Sequence, residues 1–505
     1  MTGYQRLLVT IAVMATTVMQ VLDTTIVNVA LPHMEGQLAA TPDQITWVLT
    51  SYLVASAIFM PLTGFFSDRL GRRRYLLVSI FGFVLFSALC GVSQSLDQIV
   101  LFRLLQGVFG AALVPLSQAI MVSIYPVEER GRAMAIWGIG VMIGPILGPT
   151  LGGYLTEVLS WRWTFFINLP VGILSFMLAM TAVPDTPTQN RHMDWWGLLY
   201  LSVSIAATQY LLDRGNAYGW LGSSRIQIAL VLIIAGLLAF LVHSFSQHRA
   251  RLFDLRIFRD RNFTVASLLL AVFGLGMYGS MVMQPLLLEE LLHYPTLTTG
   301  LVMAPRGVVS AISMMVVGRL ITRMSGRVLI TIGVILSALG TWAMGTYDLH
   351  IDTWAAIWPI LVQGAGLGMI YVPLSTIAFS TLPKEAAAEA AGLFSLMRTI
   401  GSSIGISLVT TIFIRHGQMA WNLLGGDITA YNPAAHAYVA PLKLAARSPL
   451  GASILAGALQ RHSQMVAFDA AFVFITASFA LMLPLILLLS GGRVGLAASQ
   501  QVVAD

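Results

Sequence analysis

The sequence predicts an all-α integral membrane protein: two six-helix bundles with two further helices inserted between them, fourteen spans in all. Three observations carry this: the composition, a succession of apolar stretches long enough to cross a bilayer, and an internal repeat relating the two ends of the chain. Of 505 residues, 57% are apolar and 10% charged, against roughly 45–50% and 25% in soluble domains. A soluble fold of this length needs far more charge to cover its surface, and disordered chains are poor in apolar residues. The two lysines, Lys384 and Lys443, lie outside any G-x-x-x-x-G-K-[ST] phosphate loop, which argues against an ATP-driven pump on this chain. A single cysteine, Cys90, leaves no intrachain disulfide, and no C-x-x-C or H-E-x-x-H spacing marks a metal site. No cofactor is expected.

A crossing helix takes about 20 mainly apolar residues. Such stretches fall near 8–30, 44–66, 74–91, 97–121, 132–156, 162–182, 194–212, 225–245, 262–287, 298–318, 328–346, 354–378, 391–413 and 465–488, called spans one to fourteen below. With the N-terminus inside, eighteen of the 28 Lys/Arg fall on cytoplasmic segments, seven on outer ones and three inside spans, as the positive-inside rule asks. Both termini are then cytoplasmic. The net charge of +6 is a topology signal and needs no nucleic-acid partner. Trp161, Trp163, Trp195, Trp196, Trp220, Trp354 and Trp358 sit near span ends, where an aromatic belt is expected.

The repeat appears first in spans four and twelve. Gln106-Gly107 and Pro115-Leu116-Ser117 recur as Gln363-Gly364 and Pro373-Leu374-Ser375. The turn Gly64–Arg72 after span two is echoed by Gly318–Arg327 after span ten, with Thr322 where Asp68 would fall. The expected divisions are residues 1–184, a six-helix bundle; 185–260, two inserted helices and a basic cytoplasmic linker; and 261–505, a second bundle with a long outer loop at 415–464. The loop's apolar stretch Ala445 to Leu459 would lie along the membrane or dock a partner. Parallel halves with a midplane site between them are the architecture of major facilitator transporters.

An ionisable group inside a span costs about 2.5–3.5 kcal/mol on insertion scales, so each needs a reason. Asp23 is the acid clearly within a span, seven residues from the outer end of span one, and Arg103 lies six from the outer end of span four. At 1.5 Å per residue both sit roughly 10 Å deep, the matched depth a charge pair requires. Such a pair either locks two helices or serves as a proton site, since burial favours the neutral acid and a guanidinium favours the carboxylate. Arg103 has no repeat counterpart; Ile360 stands there.

Span five carries Gly140, Gly144, Gly148 and Gly152 as an i, i+4 stripe, with Pro145, Pro149 and Gly153 beside it. Small residues at that spacing let two backbones approach closely, forming a packing seam or a gate, for which Gly300, Ala304, Gly307 and Ala311 of span ten offer a partner face. Asp68 is expected to begin span three, favoured by the helix dipole, with Gly64 and Gly71 permitting a tight turn and Arg69 and Arg72 completing a charge clasp between helices. Candidate cavity residues are Asn28, Gln106, Met277, Tyr278, Met281, Gln284, Arg306 and Arg398. The default reading of the two arginines is bonding to backbone carbonyls or snorkelling. Facing the cavity, they favour neutral or weakly acidic amphiphiles over dications.

Five patterns in order, Leu22 to Pro32 (LDTTIVNVALP), Gly64 to Arg74 (GFFSDRLGRRR), Arg103 to Gly107 (RLLQG), Gly144 to Gly153 (GPILGPTLGG) and Trp161 to Gly172 (WRWTFFINLPVG), resemble the drug:proton antiporter branch of the major facilitator superfamily. The fourteen-span form looks most like the EmrB-type multidrug exporters. The resemblance covers nearly the whole chain. It implies proton coupling at Asp23 with Arg103; an antiporter motif at Gly144, Pro145, Gly148, Pro149, Gly152 and Gly153; and a clasp at Gly64, Asp68, Arg69, Gly71 and Arg72. It also implies a bacterial inner-membrane location, a periplasmic adaptor and an outer-membrane channel as partners. Thr322, in place of an acid, puts a symmetric role for the second clasp in doubt. The reading is a proton-driven antiporter exporting hydrophobic or amphiphilic compounds by alternating access. The alternatives are an exporter dedicated to one metabolite, such as a siderophore or fatty acid, and a non-transporting membrane sensor or assembly factor. Nothing in the residues suggests an enzyme.

Overall fold

The computed structural model describes residues 3–126, 129–189, 192–246, 252–429, 431–442, 445 and 448–489. Arg191, Arg249, Arg251, Lys443, Arg447 and Arg493, counted among the basic residues above, lie outside the described residues, as does part of the basic linker. Every expected span is helical. In the first bundle these are Gly3–Gln37, Trp47–Leu70, Arg72–Val92, Leu96–Ile124, Arg130–Val158 and Trp163–Ala182, followed by Ser224–Ser246 as span eight. Spans nine to fourteen are Arg261–Leu291, Thr298–Leu320, Gly326–Met344, Thr353–Ala378, Ala387–Gly426 and Pro449–Ile486. Thirteen helices among the described residues are long and apolar enough to cross a membrane. Span seven, Trp195–Arg214, is a 20-residue helix of lower hydropathy. Its polar side chains are used by its neighbours: Ser204 Oγ donates to the Ile233 carbonyl of span eight at 3.2 Å.

Helix ends are set by local chemistry. Ser95, Asp194, Asp260, Asp352 and Ser448 each accept a backbone N–H at the start of spans four, seven, nine, twelve and fourteen, satisfying donors no helix can pair internally. Gly71, at φ +79°, separates spans two and three. That turn corrects the expected place of Asp68, which lies in the last turn of the helix Thr63–Leu70. Span three begins only at Arg72, after the glycine has broken the helix.

Spans one to six pack on one another, with one against five and six, and two and three against four; spans nine to fourteen do likewise, and seven pairs with eight. Between the two groups, five packs along ten, and thirteen packs along two and four. Span seven bridges the groups at one level. Asp213 accepts from Thr50 Oγ1 at 2.9 Å and Arg214 donates to Thr46 Oγ1 at 3.0 Å, both in the span-two region. Gln209 Nε2 donates to Ser403 Oγ at 3.0 Å, and Ser407 Oγ to the Leu212 carbonyl at 2.7 Å, both in span thirteen.

Three further expectations change. The loop at 415–464 is mostly helix: span thirteen runs to Gly426 and span fourteen starts at Pro449, with Pro433–Val439 between. Nothing in 415–426 breaks a helix, and Ser448 with Pro449 at the first helical position starts the next. From Pro449 on, the apolar stretch forms the head of span fourteen, where Leu455 packs with Ala435 and Val439. Trp161 is no belt residue; it is buried, its indole donating to Gln37 Oε1 at 2.8 Å. The other six lie at least partly exposed.

Last, the glycine stripe of span five does not meet span ten. A Cβ on Gly140 would meet Met14, on Gly144 the Val21–Leu22 backbone at 2.6 Å, on Gly148 Thr25, and on Gly152 the Ile26 carbonyl at 2.8 Å. All four face span one, because residues spaced by four keep to one side of a helix. Span ten takes other positions of span five, with Gly318 against Ala135 and Gly300 against Thr150. Gly144→Ala is expected to destabilise by about 1–3 kcal/mol, as overpacking against backbone does. Gly457→Ala, whose Cβ meets nothing within 4 Å, is expected to gain up to about 1 kcal/mol from helix propensity. Melting temperatures in detergent would check this, and equal shifts for the two variants would overturn the assigned packing.

Candidate functional site

The stripe of glycines seats span one so that Asp23 faces the interior of its own bundle. Thr25 Oγ1 donates to the Gly144 carbonyl at 3.0 Å, two residues beyond Asp23. Gly107 does the same for span four, where an added Cβ would come within 2.5 Å of the Tyr52 carbonyl. Four helices thereby close around one carboxylate, which has no exposed surface. Asp23 Oδ2 accepts from Arg103 Nη1 at 2.7 Å, and Oδ1 accepts from Gln106 Nε2 at 3.0 Å and Asn168 Nδ2 at 2.8 Å. Arg103, 1% exposed, also donates to Gln106 Oε1 at 2.8 Å and to the Val48 carbonyl at 3.1 Å. Its guanidinium lies 4.3 Å from the centre of the Tyr52 ring.

The network therefore joins span one to spans two, four and six. Asn168 continues it through Ser87 Oγ at 3.0 Å to span three. Each carboxylate oxygen of Asp23 receives at least one N–H donor. Asn168 and Ser87 were not among the candidate residues. Asn168 lies within the Trp161 to Gly172 pattern, and a buried amide in an otherwise apolar span was the available signal. Gln106, read as a cavity candidate, is wholly buried in this network.

The second bundle repeats the arrangement with different chemistry. Arg306 Nη1 donates to Gln284 Oε1 at 2.7 Å. Gln284 Nε2 in turn reaches Gln363 Oε1 at 2.9 Å and Ser280 Oγ at 2.8 Å. Gln363, the repeat counterpart of Gln106, bonds Gln284 where Gln106 bonds Asp23. Gly364 lies against the Arg306 backbone, its added Cβ 2.6 Å from the carbonyl, as Gly107 lies against Tyr52. A guanidinium reaches the equivalent place from span ten where the first bundle sends it from span four. Repeat alignment alone misses this, because Ile360 replaces Arg103 and the charge has moved to another helix. Among the described residues both arginines bond side chains and not backbone carbonyls, Arg306 to Gln284 and Arg398 Nη1 to Tyr278 Oη at 3.0 Å. Met277 is buried, Met281 half-buried and Asn28 exposed.

At the end of the molecule carrying the Gly71 turn, Gly64 presses on Glu389 of span thirteen, an added Cβ falling 2.7 Å from its side chain. Glu389 Oε1 accepts from the Asp254 backbone N–H of the linker. Gly71 and Arg72 contact Thr186, whose Oγ1 accepts from the Arg72 N–H at 2.9 Å. The Gln189 N–H donates to the Asp68 carbonyl at 2.7 Å, and the Arg69 guanidinium lies 6.0 Å from the Phe65 ring centre. Arg130 Nη1 crosses between the bundles to the Phe379 carbonyl at 3.4 Å. No group of three or more His, Cys, Asp or Glu side chains among the described residues is placed to hold a metal.

A family model described as the Major Facilitator Superfamily matches residues 13–406. The chain is 36% identical over 444 residues to the multidrug export protein EmrB of Escherichia coli (strain K12), covering 87% of this chain and 86% of that one. It is 34% identical over 426 residues to the fatty acid resistance protein FarB of Neisseria gonorrhoeae, covering 84% of each. Among solved structures, the human organic anion transporter MFSD10 (TETRAN) aligns with a TM-score of 0.63 at 15% identity, covering 96% of this chain and all of that one. The proton:xylose symporter XylE aligns at 0.61 and 15%, covering 96% and 97%; at these identities the likeness concerns the fold alone. The chain belongs to the major facilitator superfamily, among its EmrB-type multidrug exporters.

Proposed function

We propose that the protein is a proton-driven antiporter that exports hydrophobic or amphiphilic compounds across a bacterial inner membrane. It is a transporter and not an enzyme. The observation that carries the coupling is the three-donor cradle around Asp23. Deprotonated, Asp23 ties span one to spans four and six; protonated, it loses its charge, accepts those bonds more weakly, and the bundle relaxes. A proton arriving from outside and a substrate arriving from inside thus favour different arrangements of the same helices, which is what exchange requires. One inward proton supplies about 2.3 kcal/mol per 100 mV from potential alone.

The moving units are residues 1–184 and 261–505, rocking about the seam of spans five and ten, with both termini cytoplasmic as the basic residues suggest. The Gly64–Glu389 contact and the Arg130 bond to Phe379 then form the cytoplasmic closure, and the residues of the Gly71 turn serve as its clasp. The long helical hairpin of spans thirteen and fourteen lies on the periplasmic side and is the surface offered to an adaptor that leads to an outer-membrane channel. A dedicated metabolite exporter is the second reading, favoured by the relative named for fatty acid resistance.

Proton release from the purified chain in detergent tests the coupling. Adding substrate to wild type is expected to release protons, and Asp23→Asn to abolish the release while eluting as a folded protein. Undiminished release from the variant would leave Asp23 as a purely structural group. Arg103→Gln alone strands a buried carboxylate and is expected to cost about 3–5 kcal/mol. Adding Asp23→Asn to it should recover most of that loss in a melting curve, and a double variant no more stable than the single one would refute the pairing.

A further inference from the structure

The inserted pair of helices has no part in the mechanism above, yet span seven, Trp195–Arg214, is hydrogen-bonded to both moving units within residues 209–214. On one side Asp213 Oδ2 accepts from Thr50 Oγ1 and Arg214 Nη2 donates to Thr46 Oγ1. On the other, Gln209 Nε2 donates to Ser403 Oγ and the Leu212 carbonyl accepts from Ser407 Oγ. Thr46 and Thr50 stand one turn apart near the start of span two, and Ser403 and Ser407 one turn apart in span thirteen, so each pair faces span seven from one side of its helix. Toward the Gly71 turn, spans two and thirteen meet directly: a Cβ on Gly392 would fall 2.7 Å from the Met60 carbonyl. At the far end it is span seven that bonds each of them.

The two sides of this bridge differ in chemistry. Toward span two the bonds are made by a carboxylate and a guanidinium that lie 3.7 Å from one another, and the guanidinium also sits 5.7 Å from the centre of the Trp47 ring. Hydrogen bonds with one ionised partner are stronger than neutral ones, and a stranded charge is costly. Toward span thirteen both bonds are neutral, amide to hydroxyl and hydroxyl to carbonyl. Ser403 and Ser407 each have a substitute acceptor in their own helix, the carbonyl four residues earlier. The Leu212 carbonyl lies in the last turn of span seven, where helix carbonyls lack an internal donor and take one from water. Gln209 and Ser407 are buried, so this side parts readily once water reaches it.

We propose that span seven is the outer latch of the transport cycle. It travels with the first bundle through Asp213 and Arg214, and the bonds of Gln209 and Leu212 to Ser403 and Ser407 break as the outer end opens and re-form as it closes. This rests on the export reading above and on the topology proposed with it. Rocking changes the separation of spans two and thirteen at this end, and a hydrogen bond is lost beyond about 3.5 Å. One helix therefore cannot keep its bonds to both units through the cycle, and the neutral set yields first. The inserted pair then sets how firmly the outer end stays shut before cargo is released.

The test is reversible cross-linking of the full chain in vesicles, read by proton-driven efflux of a panel of neutral, acidic and cationic hydrophobic dyes. The native Cys90 is buried and stays in place. Gln209→Cys and Ser403→Cys, bridged by a short bifunctional methanethiosulfonate, are expected to cut efflux about tenfold, and a reductant to restore it in the same vesicles. Bridging Thr50→Cys to Asp213→Cys is expected to leave at least half the efflux, because that side does not part. Full efflux with the first bridge closed, or equal loss with the second, overturns the inference. Spin labels on Leu53→Cys and Ile414→Cys, exposed positions of spans two and thirteen, give a readout without transport. Gln209→Leu combined with Ser407→Ala is expected to at least double the widely separated fraction in double electron–electron resonance, and an unchanged distance distribution overturns the latch. Wild-type vesicles that extrude none of the dyes defeat the export reading alone, and the label distances then decide the latch by themselves.

Discussion

A carboxylate and a guanidinium buried together in the hydrocarbon region impose more on this fold than any other contact. Removing both from water costs several kcal/mol per ion, which their attraction offsets only when the remaining lone pairs and N–H groups are also satisfied. Asp23 and Arg103 meet that condition with Gln106, Asn168 and the Val48 carbonyl, so residues from spans one, two, four and six must all arrive at one point. The glycines that look like a general packing device serve this convergence. Gly144 and Gly148 bring span five against the backbone on either side of Asp23, and Gly107 brings span four against Tyr52.

The two bundles solve one packing problem with different charges. Each buries a guanidinium against a network of amides and hydroxyls, and each uses the repeated Gln-Gly pair to do so. In the first, the network closes on the carboxyl group of Asp23. In the second, Gln284 stands where that acid would be, so the charge there is fixed. The duplicated fold is thus asymmetric in charge, an ion pair in one half and a guanidinium on a neutral amide in the other, without any change in the helix arrangement.

Between the bundles the contacts are of another kind. Gly131, Gly138, Gly300 and Gly318 sit at close approaches of spans five and ten or their neighbours, and Trp137 stacks on Tyr371 of span twelve with ring centres 6.0 Å apart. These are close apolar contacts, suited to surfaces that slide or part. Span seven adds a hydrogen-bonded bridge near the start of span two, at the end of the bundles away from the Gly71 turn. The inserted pair is therefore attached to both halves through its first helix.

The sequence by itself determined the class of molecule, the helices and the charged pair. Apolar stretches of about 20 residues leave the chain no option but to satisfy its backbone in helices, and Asp23 with Arg103 at matched depth is a pairing that hydrocarbon enforces. The Gln-Gly repeat was equally legible, because close helix packing admits only a small residue there. What only the tertiary structure decided is which faces meet. The i, i+4 stripe of span five specifies a close approach to some helix but not to span one in particular, and Asp68 lies before the turn because Gly71, and not the acid, breaks the helix. The length of the last two helices was not legible, because residues 415–426 are polar enough to read as loop while containing nothing that stops a helix, and the short apolar stretch 449–459 reads equally as a surface segment or as the head of a long helix. The second guanidinium was visible as a residue but not as a counterpart, since a repeat aligned by sequence cannot follow a charge that has moved to a neighbouring helix and kept its place only in three dimensions.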